Sequence, residues 1–244
     1  MFRRLCVAVA AVGLLSCTAS KPPPAPPPMG PRTFPQTSAE PVPAPAMPAT
    51  GMPATGSYRV DSSRSELRLL VYRAGALSNL GHNHVIVNRS LNGSIDVAPQ
   101  FGASTFSLNV PVAAFIIDDS QARSEEGEDF AADVSDGAKS GTWSNMTGSA
   151  VLDAARYPVI GMRSVRLEER QGAFTVTVAL SVAGHESSVS LPFVLRQETY
   201  GLSATASFDL NQSALGMTPF SVMLGALAVR DTMRVRLTVT AQRE

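Results

Sequence analysis

The chain holds three histidines, and two of them sit in LSNLGHNHVIV, residues 77–87. His82 and His84 flank a single asparagine and lead into a β-branched run. On a strand, residues i and i+2 face one side, roughly 6.5–7 Å apart at the backbone. Neutral imidazoles so placed could share one divalent metal such as Zn²⁺, Cu²⁺ or Fe²⁺. A third ligand would be required. His185, in the turn AGHESS, is the remaining histidine, and Asp118 and Asp119 are further candidates. Two other readings stand beside the metal one. At a barrel mouth the imidazoles would hydrogen-bond the polar head of a ligand. Next to the turn residues Gly81 and Asn83, they would otherwise only cap a strand entrance.

Other chemistry is sparse. Trp143, in GTWSNM, could stack on a ligand or fill a core. Met146, Met162, Met217, Met223 and Met233 suit an adaptable lining for a flexible chain, or plain gap-filling. The sequence has no G-x-S-x-G elbow, no glycine-rich phosphate loop and no H-E-x-x-H. A non-enzyme is expected. The one enzyme reading retained is a metal-dependent hydrolase built on the H-x-H and carboxylates.

The ends of the chain set the context. MFRRLCVAVAAVGLLSCTAS starts with basic Arg3 and Arg4, followed by an apolar stretch too short to span a bilayer. Leu14-Leu15-Ser16-Cys17 has the order of a bacterial lipobox, so residues 1–16 are expected to be a signal peptide and Cys17 the lipidated residue. Thr18 and Ser20 follow, with no aspartate beside the cysteine. By lipoprotein sorting rules, that favours the periplasmic face of the outer membrane. Cys6 would leave with the signal, so the folded part is expected to have no disulfide. Residues 17–57 then form the lipidated cysteine and a proline- and alanine-rich tether without hydrophobic period.

Residues 58–244 remain for one domain. Twenty basic residues balance twenty acidic ones over the full chain, and no basic patch invites nucleic acid. Period-2 alternation dominates. In GAFTVTVALSVAG, Phe174, Val176, Val178, Leu180 and Val182 share one face, and SSVSLPFVL repeats the pattern. Near the C-terminus Met233, Val235, Leu237 and Val239 oppose Arg234, Arg236, Thr238 and Thr240. Weaker alternation runs through 66–72, 84–97, 104–110, 158–167 and 200–210. These are half-buried antiparallel strands. The expected class is all-β: a roughly eight-stranded, lipocalin-like barrel with one or two short helical excursions. The acidic stretch 118–140 is expected as a solvated excursion, and 142–158 as a short helix stopped at Tyr157-Pro158. Pro192 inside a strand predicts an edge or a bulge. A barrel of this size holds one elongated ligand or is filled by its own side chains. In the first case the row Phe174, Val176 and Val178 would line the ligand, together with Trp143 and Met146.

The order of motifs resembles the YceI-like family of periplasmic lipid-binding proteins. YRVDSSRSELRLLVYRAG is similar to that family's first strand pair. LNGSIDV, DAARYPVIGMRS and VALSVAGHESSVSLPFVL follow in family order, and FDLNQSALGM…VRDTMRVRLTVTAQ is like its final pair. The resemblance implies an extended antiparallel barrel whose members bind polyisoprenoid or other long-chain amphiphiles. Thr142-Trp143 and Asn145-Met146 depart from the Arg-Asp and His-Leu pairs usual in the family. The leading expectation is a lipid-anchored periplasmic protein that carries an isoprenoid-like or fatty molecule, with His82 and His84 at its head. The alternative is a metal- or haem-associated electron-transfer or stress protein that uses His82 and His84, with His185 as the candidate third metal ligand. Either as a monomer or as a homodimer, the domain would meet the membrane through its anchor.

Overall fold

The computed structural model describes residues 52–244 and, upstream of them, the backbone of a three-residue strand, Gln36–Ser38. The signal peptide, Cys17 and most of the tether lie outside the described residues. Alternation produces eleven principal strands. They are β1 (Gly56–Val60), β2 (Glu66–Val71), β3 (His84–Asn88), β4 (Asn92–Val97), β5 (Thr105–Pro111), β6 (Phe115–Ile117), β7 (Val159–Arg170), β8 (Ala173–Val182), β9 (His185–Glu198), β10 (Gly201–Asn211) and β11 (Thr232–Arg243).

Eight of these close an antiparallel barrel in the order β1-β4-β5-β7-β8-β9-β10-β11 and back to β1. β11 is the hinge of the architecture. Its C-terminal end pairs with β1, and Arg234 to Thr238 pair with β2 on the same edge. From there β2, β3 and β6 continue as a wall that extends one end of the barrel. Three bends, β1/β2, β3/β4 and β5/β6, make this second tier. Side-chain hydrogen bonds hold them: Ser65 Oγ accepts from Thr240 N (3.0 Å), Ser62 Oγ donates to Leu91 O (2.7 Å), and Asn88 Nδ2 donates to Pro111 O (2.8 Å).

The long hairpins turn tightly. Gln171-Gly172 joins β7 to β8 and Ala183-Gly184 joins β8 to β9, all four residues at positive φ. Two successive left-handed residues match the right-handed twist of the flanking strands. At Gly184 there is a second constraint, because a Cβ would lie 2.5 Å from the Tyr157 ring. Pro192 falls where β9 pairs with β8 at Thr175 but has not yet met β10, whose pairing starts at Val194. Its missing N–H therefore breaks no rung, as an edge position requires. Along the same free edge, Gln36–Ser38 lies parallel to Ser188–Ser190. Part of the tether thus adds a strand that its composition did not predict.

Inward rows from all eight strands make the main core, including Val110, Val176, Val178, Val189, Phe208, Val235 and Val239. Two helices interrupt the barrel, α1 (Ser120–Ser124) and α2 (Asp136–Thr147). The second begins earlier than its hydrophobic residues suggest. Ser135 caps it by accepting from Ala138 N, and Asp136 stands in its first turn. It ends at Thr147, eleven residues before Pro158, where Gly148 leaves the helix in an extended conformation. The expected helix over 142–158 is therefore a helix over 136–147 followed by turns around Asp153 (φ 44°).

Candidate functional site

A first cavity of about 250 Å³ occupies the extended end of the barrel. Inward side chains of β2, β3, β7, β8, β10 and β11 wall it, with Met146 from α2 and Met217 and Phe220 from the segment after β10. A second cavity of about 120 Å³ lies deeper, toward the β1 end, among Val176, Val178, Leu191 and Val239. Met162, Leu180, Phe208 and Leu237 line both. These four side chains form a waist, so the two spaces abut. Each alone falls below the roughly 300–1,000 Å³ of typical small-molecule sites. A flexible chain would use both, and Met162 is the most deformable of the four separators.

Polar groups reach the first cavity and not the second. His82, His84, Thr142, Asn145, Gln212 and Arg73 line the former. His84 is the best anchored. It opens β3 opposite Val71. Its Nδ1 lies 2.6 Å from Asp118 Oδ2, and its Nε2 faces Thr142 Oγ1 at 3.3 Å. Asp118 is fully buried and left-handed (φ 53°), a cost that buried partners must offset. Those partners are Val85 N–H (2.9 Å to Oδ1) and Arg123 Nη1 (2.6 Å to Oδ1). Arg123 in turn donates to Asn83 O (2.8 Å) and Ala132 O (2.7 Å), 6.0 Å from the Phe130 ring centre. Burial by itself would raise the Asp118 carboxyl. The hydrogen bonds from His84 and Val85 and the Arg123 guanidinium outweigh it and hold the group below the usual carboxylate range. An ionised Asp118 fixes a proton on His84 Nδ1 and leaves Nε2 as the ring atom turned toward the cavity.

The acidic excursion is more than a solvated surface. Glu126, its side chain 1% exposed, pairs with Arg68 (2.7 Å) and Arg236 (2.8 Å) on β2 and β11. Glu125 pairs with Arg68 (2.9 Å) and Asp119 caps α1 through Ala122 N. These contacts clamp 118–130 against β2, β3 and β11 and bring Asp118 under His84. Nothing in the local sequence marks Asp118 or Arg123 as partners of His84, which lies 34 residues before the aspartate.

The expected site residues divide. His82, His84 and Met146 line the first cavity, and Val176 and Val178 the second. Trp143 does not reach either cavity. It packs on the core from α2, while its neighbours Thr142, Asn145 and Met146 face the space. Phe174 is likewise displaced. It sits in an aromatic plug at the β1 end, 5.1 Å from Phe101 and 5.6 Å from Phe193 between ring centres, with Tyr58, Leu195 and Leu202. The three-histidine ligand set needs correction too. The rings of His82 and His84 are 6.3 Å apart, whereas His185 packs against Gly216 at the β8–β9 turn. Among the described residues no three His, Cys, Asp or Glu side chains are placed to hold a metal ion. The physical reason is placement: His185 lies apart, against Gly216, and the Asp118 carboxylate is already taken by His84 Nδ1, Val85 N–H and Arg123, which leaves His82 and His84 without a third ligand.

Comparison with known proteins returns one family model, the YceI-like domain, matched over residues 58–241. Among solved structures, the chain is similar to BcnA of Burkholderia cenocepacia at 14% identity and a TM-score of 0.55, over 75% of this chain and 99% of that one. It is also similar to a polyisoprenoid binding domain from Saccharophagus degradans implicated in plant cell wall breakdown (11% identity, TM-score 0.49, 78% and 100% covered). The YCEI protein of Campylobacter jejuni follows at 12% identity and a TM-score of 0.45, with 65% and 84% covered. No curated protein matches the chain.

Proposed function

The chain belongs to the YceI-like domain family, and on that premise we propose that its barrel binds a long-chain amphiphile, isoprenoid-like or fatty, by burial rather than by chemistry. One observation carries the reading: two apolar cavities meet end to end, and the polar groups stand only at the outer one. The tail runs past the waist of Met162, Leu180, Phe208 and Leu237 into the inner cavity. Each methylene taken out of water contributes about 0.8 kcal/mol, so tail length dominates affinity. The head stays among His82, His84, Thr142 and Asn145. His84 offers Nε2, Thr142 a hydroxyl and Asn145 an amide. Arg73, at the rim, is the sole lining group with a fixed positive charge. Such a set favours a hydroxyl, carbonyl or amide head over a multiply charged one. No catalytic residue is assigned.

In this reading the protein works at the periplasmic face of a bacterial membrane, the outer one by its sorting residues, tethered by a lipid on Cys17. The lipobox order and the proline-rich tether support that location. Related family domains support the ligand class, since the Saccharophagus protein is described as a polyisoprenoid binding domain.

Native mass spectrometry of protein purified without added ligand tests the proposal. A co-purifying long-chain species is expected, lost on chloroform extraction and regained on titration. Bare protein that takes up no long-chain lipid overturns it.

A further inference from the structure

Two segments overhang the mouth of the first cavity, residues 72–82 after β2 and residues 212–230 between β10 and β11. They join in a small antiparallel sheet of Arg73–Ala74, Leu227–Val229 and Ser221–Val222. Leu77 N–H donates to Ala226 O (2.7 Å), which locks the turn Ser78–Leu80 beside Leu227. On its inner side this flap contributes Phe220, Leu227 and Val229 to the cavity wall. Its tip faces the other way. Leu80 and Met223 are each 66% exposed and Leu224 is entirely exposed. Met223 and Leu224 are both left-handed, at φ 52° and 55°. Non-glycine residues rarely adopt that region in succession, and here it turns Leu224 away from the core.

The charges beside the tip are mainly basic. Residues 72–82 and 212–231 contain Arg73 and Arg230 against one acid, Asp231, whose carboxylate is taken up by Ser213 N–H and Oγ. Both arginines are exposed; Arg230 lies over the Tyr72 ring at 5.4 Å, and Arg73 Nη1 donates to Gly81 O (2.9 Å). The register of Gln36–Ser38 adds an independent observation. Gln36 pairs with Ser188, near the His185 end of β9, which is the end that holds the open cavity. The strand is parallel to β9, so its N-terminal end points toward that mouth. Eighteen residues, 18–35, separate Gln36 from Cys17. As polyproline II they would span about 55 Å, at roughly 3.1 Å per residue.

We propose that the flap tip is a docking surface for a phospholipid bilayer. Leu80, Met223 and Leu224 enter the boundary between headgroups and acyl chains, and Arg73 and Arg230 meet anionic headgroups. Docked in this way, the cavity mouth opens onto lipid, and a tail passes along Phe220 and Leu227 without crossing water. The N-terminal end of the strand Gln36–Ser38 and the tip lie at the same end of the barrel. The inference rests on the carrier reading for its purpose, but its test does not require a lipid inside the barrel.

The test uses the full chain on vesicles of phosphatidylethanolamine and phosphatidylglycerol, with or without brominated acyl chains. Leu224→Trp is compared with Tyr200→Trp, after subtraction of the wild-type signal from Trp143, the sole tryptophan. Tyr200 is 83% exposed in the β9–β10 turn, at the other end of strands about 36 Å long. The N-terminal attachment is common to both variants. At a depth of about 5–10 Å, the emission of Leu224→Trp should shift to the blue and be mostly lost to bromine, with that of Tyr200→Trp unchanged. Emission from Leu224→Trp that stays at its buffer wavelength, or equal quenching at both positions, overturns the proposal. Circular dichroism checks the fold, which substitution of an exposed leucine leaves intact. A barrel that docks but never takes up lipid would fault the carrier reading alone.

Discussion

The two ends of the barrel follow one inward alternation and finish it in opposite ways. At the β1 end Tyr58, Phe101, Phe174, Phe193 and Leu202 close the interior with aromatic contacts. At the other end β2, β3 and β6 carry the wall outward, and a buried ion cluster under His84 does the positioning. The aromatic end gains stability from every group that it buries. In the ionic end, removing Asp118 and Arg123 from water costs free energy that only complete pairing offsets. Packing thus serves closure, and paired charge serves placement of the polar groups that face the cavity.

The largest test of that contrast is Asp118→Ala. It leaves Arg123 buried without its anion and unties both His84 and Val85 N–H, so a loss of about 3–5 kcal/mol is expected in urea unfolding. A loss below about 1 kcal/mol would mean that the cluster is not load-carrying in the fold. Acid should act in the same direction. Because the folded-state pKa of Asp118 is depressed, the unfolded chain takes up the proton first as pH falls. The contribution is complete at neutral pH and fades below the ordinary aspartate value of about 3.9. Unfolding midpoints measured from pH 7 to pH 3 should decline more in the wild type than in Asp118→Ala, which keeps only the share of the other depressed carboxylates, Asp61 and Glu125.

Phe174→Ala attacks the other end. A cost of about 3 kcal/mol is expected from lost burial and the void that remains, with no change in the amount of lipid that co-purifies. Reduced lipid at full stability would place Phe174 on the ligand after all. At the waist, Leu237→Trp should divide the two spaces. Overpacking costs about 1–3 kcal/mol of stability. Affinity for a long-chain probe should fall about tenfold, or 1.4 kcal/mol, relative to a short-chain analogue; equal losses for both would show that the inner cavity is unused. The smallest effect is expected for His84→Ala, about 1 kcal/mol of affinity from one hydrogen bond to the head. Isothermal titration should find it independent of tail length, and a dependence on length would move the head elsewhere.

How much of this was legible in the sequence follows from the range of each interaction. Strand alternation is local, so Val176, Val178, Leu180 and Val182 declared their inward face, and Pro192 its free edge. The family motifs carried the barrel with them. Helix α2 was shifted because Ser135 and Asp136 start it by capping, while its interior holds Gly137 and Gly141 and little apolar period. Trp143 suggests a ligand contact by residue type and Phe174 by its place in an inward row, yet neither lines a cavity. Phe174 shares a row with Val176 and Val178, but its position along the barrel axis depends on register with neighbouring strands, and Trp143 faces the core because of how α2 packs, neither of which is local.

By itself the sequence determined the class of fold, the apolar interior and the place of GHNH at a strand entrance, because each rests on periodicity within one segment. Only the tertiary structure decided what the histidines do. It brought Asp118 and Arg123 beneath His84 through an excursion clamped by Glu126, sent His185 to Gly216, and set Leu224 outside the mouth. Those outcomes depend on contacts between residues tens of positions apart, fixed by bends in paired strands and by buried charge that must find its partner.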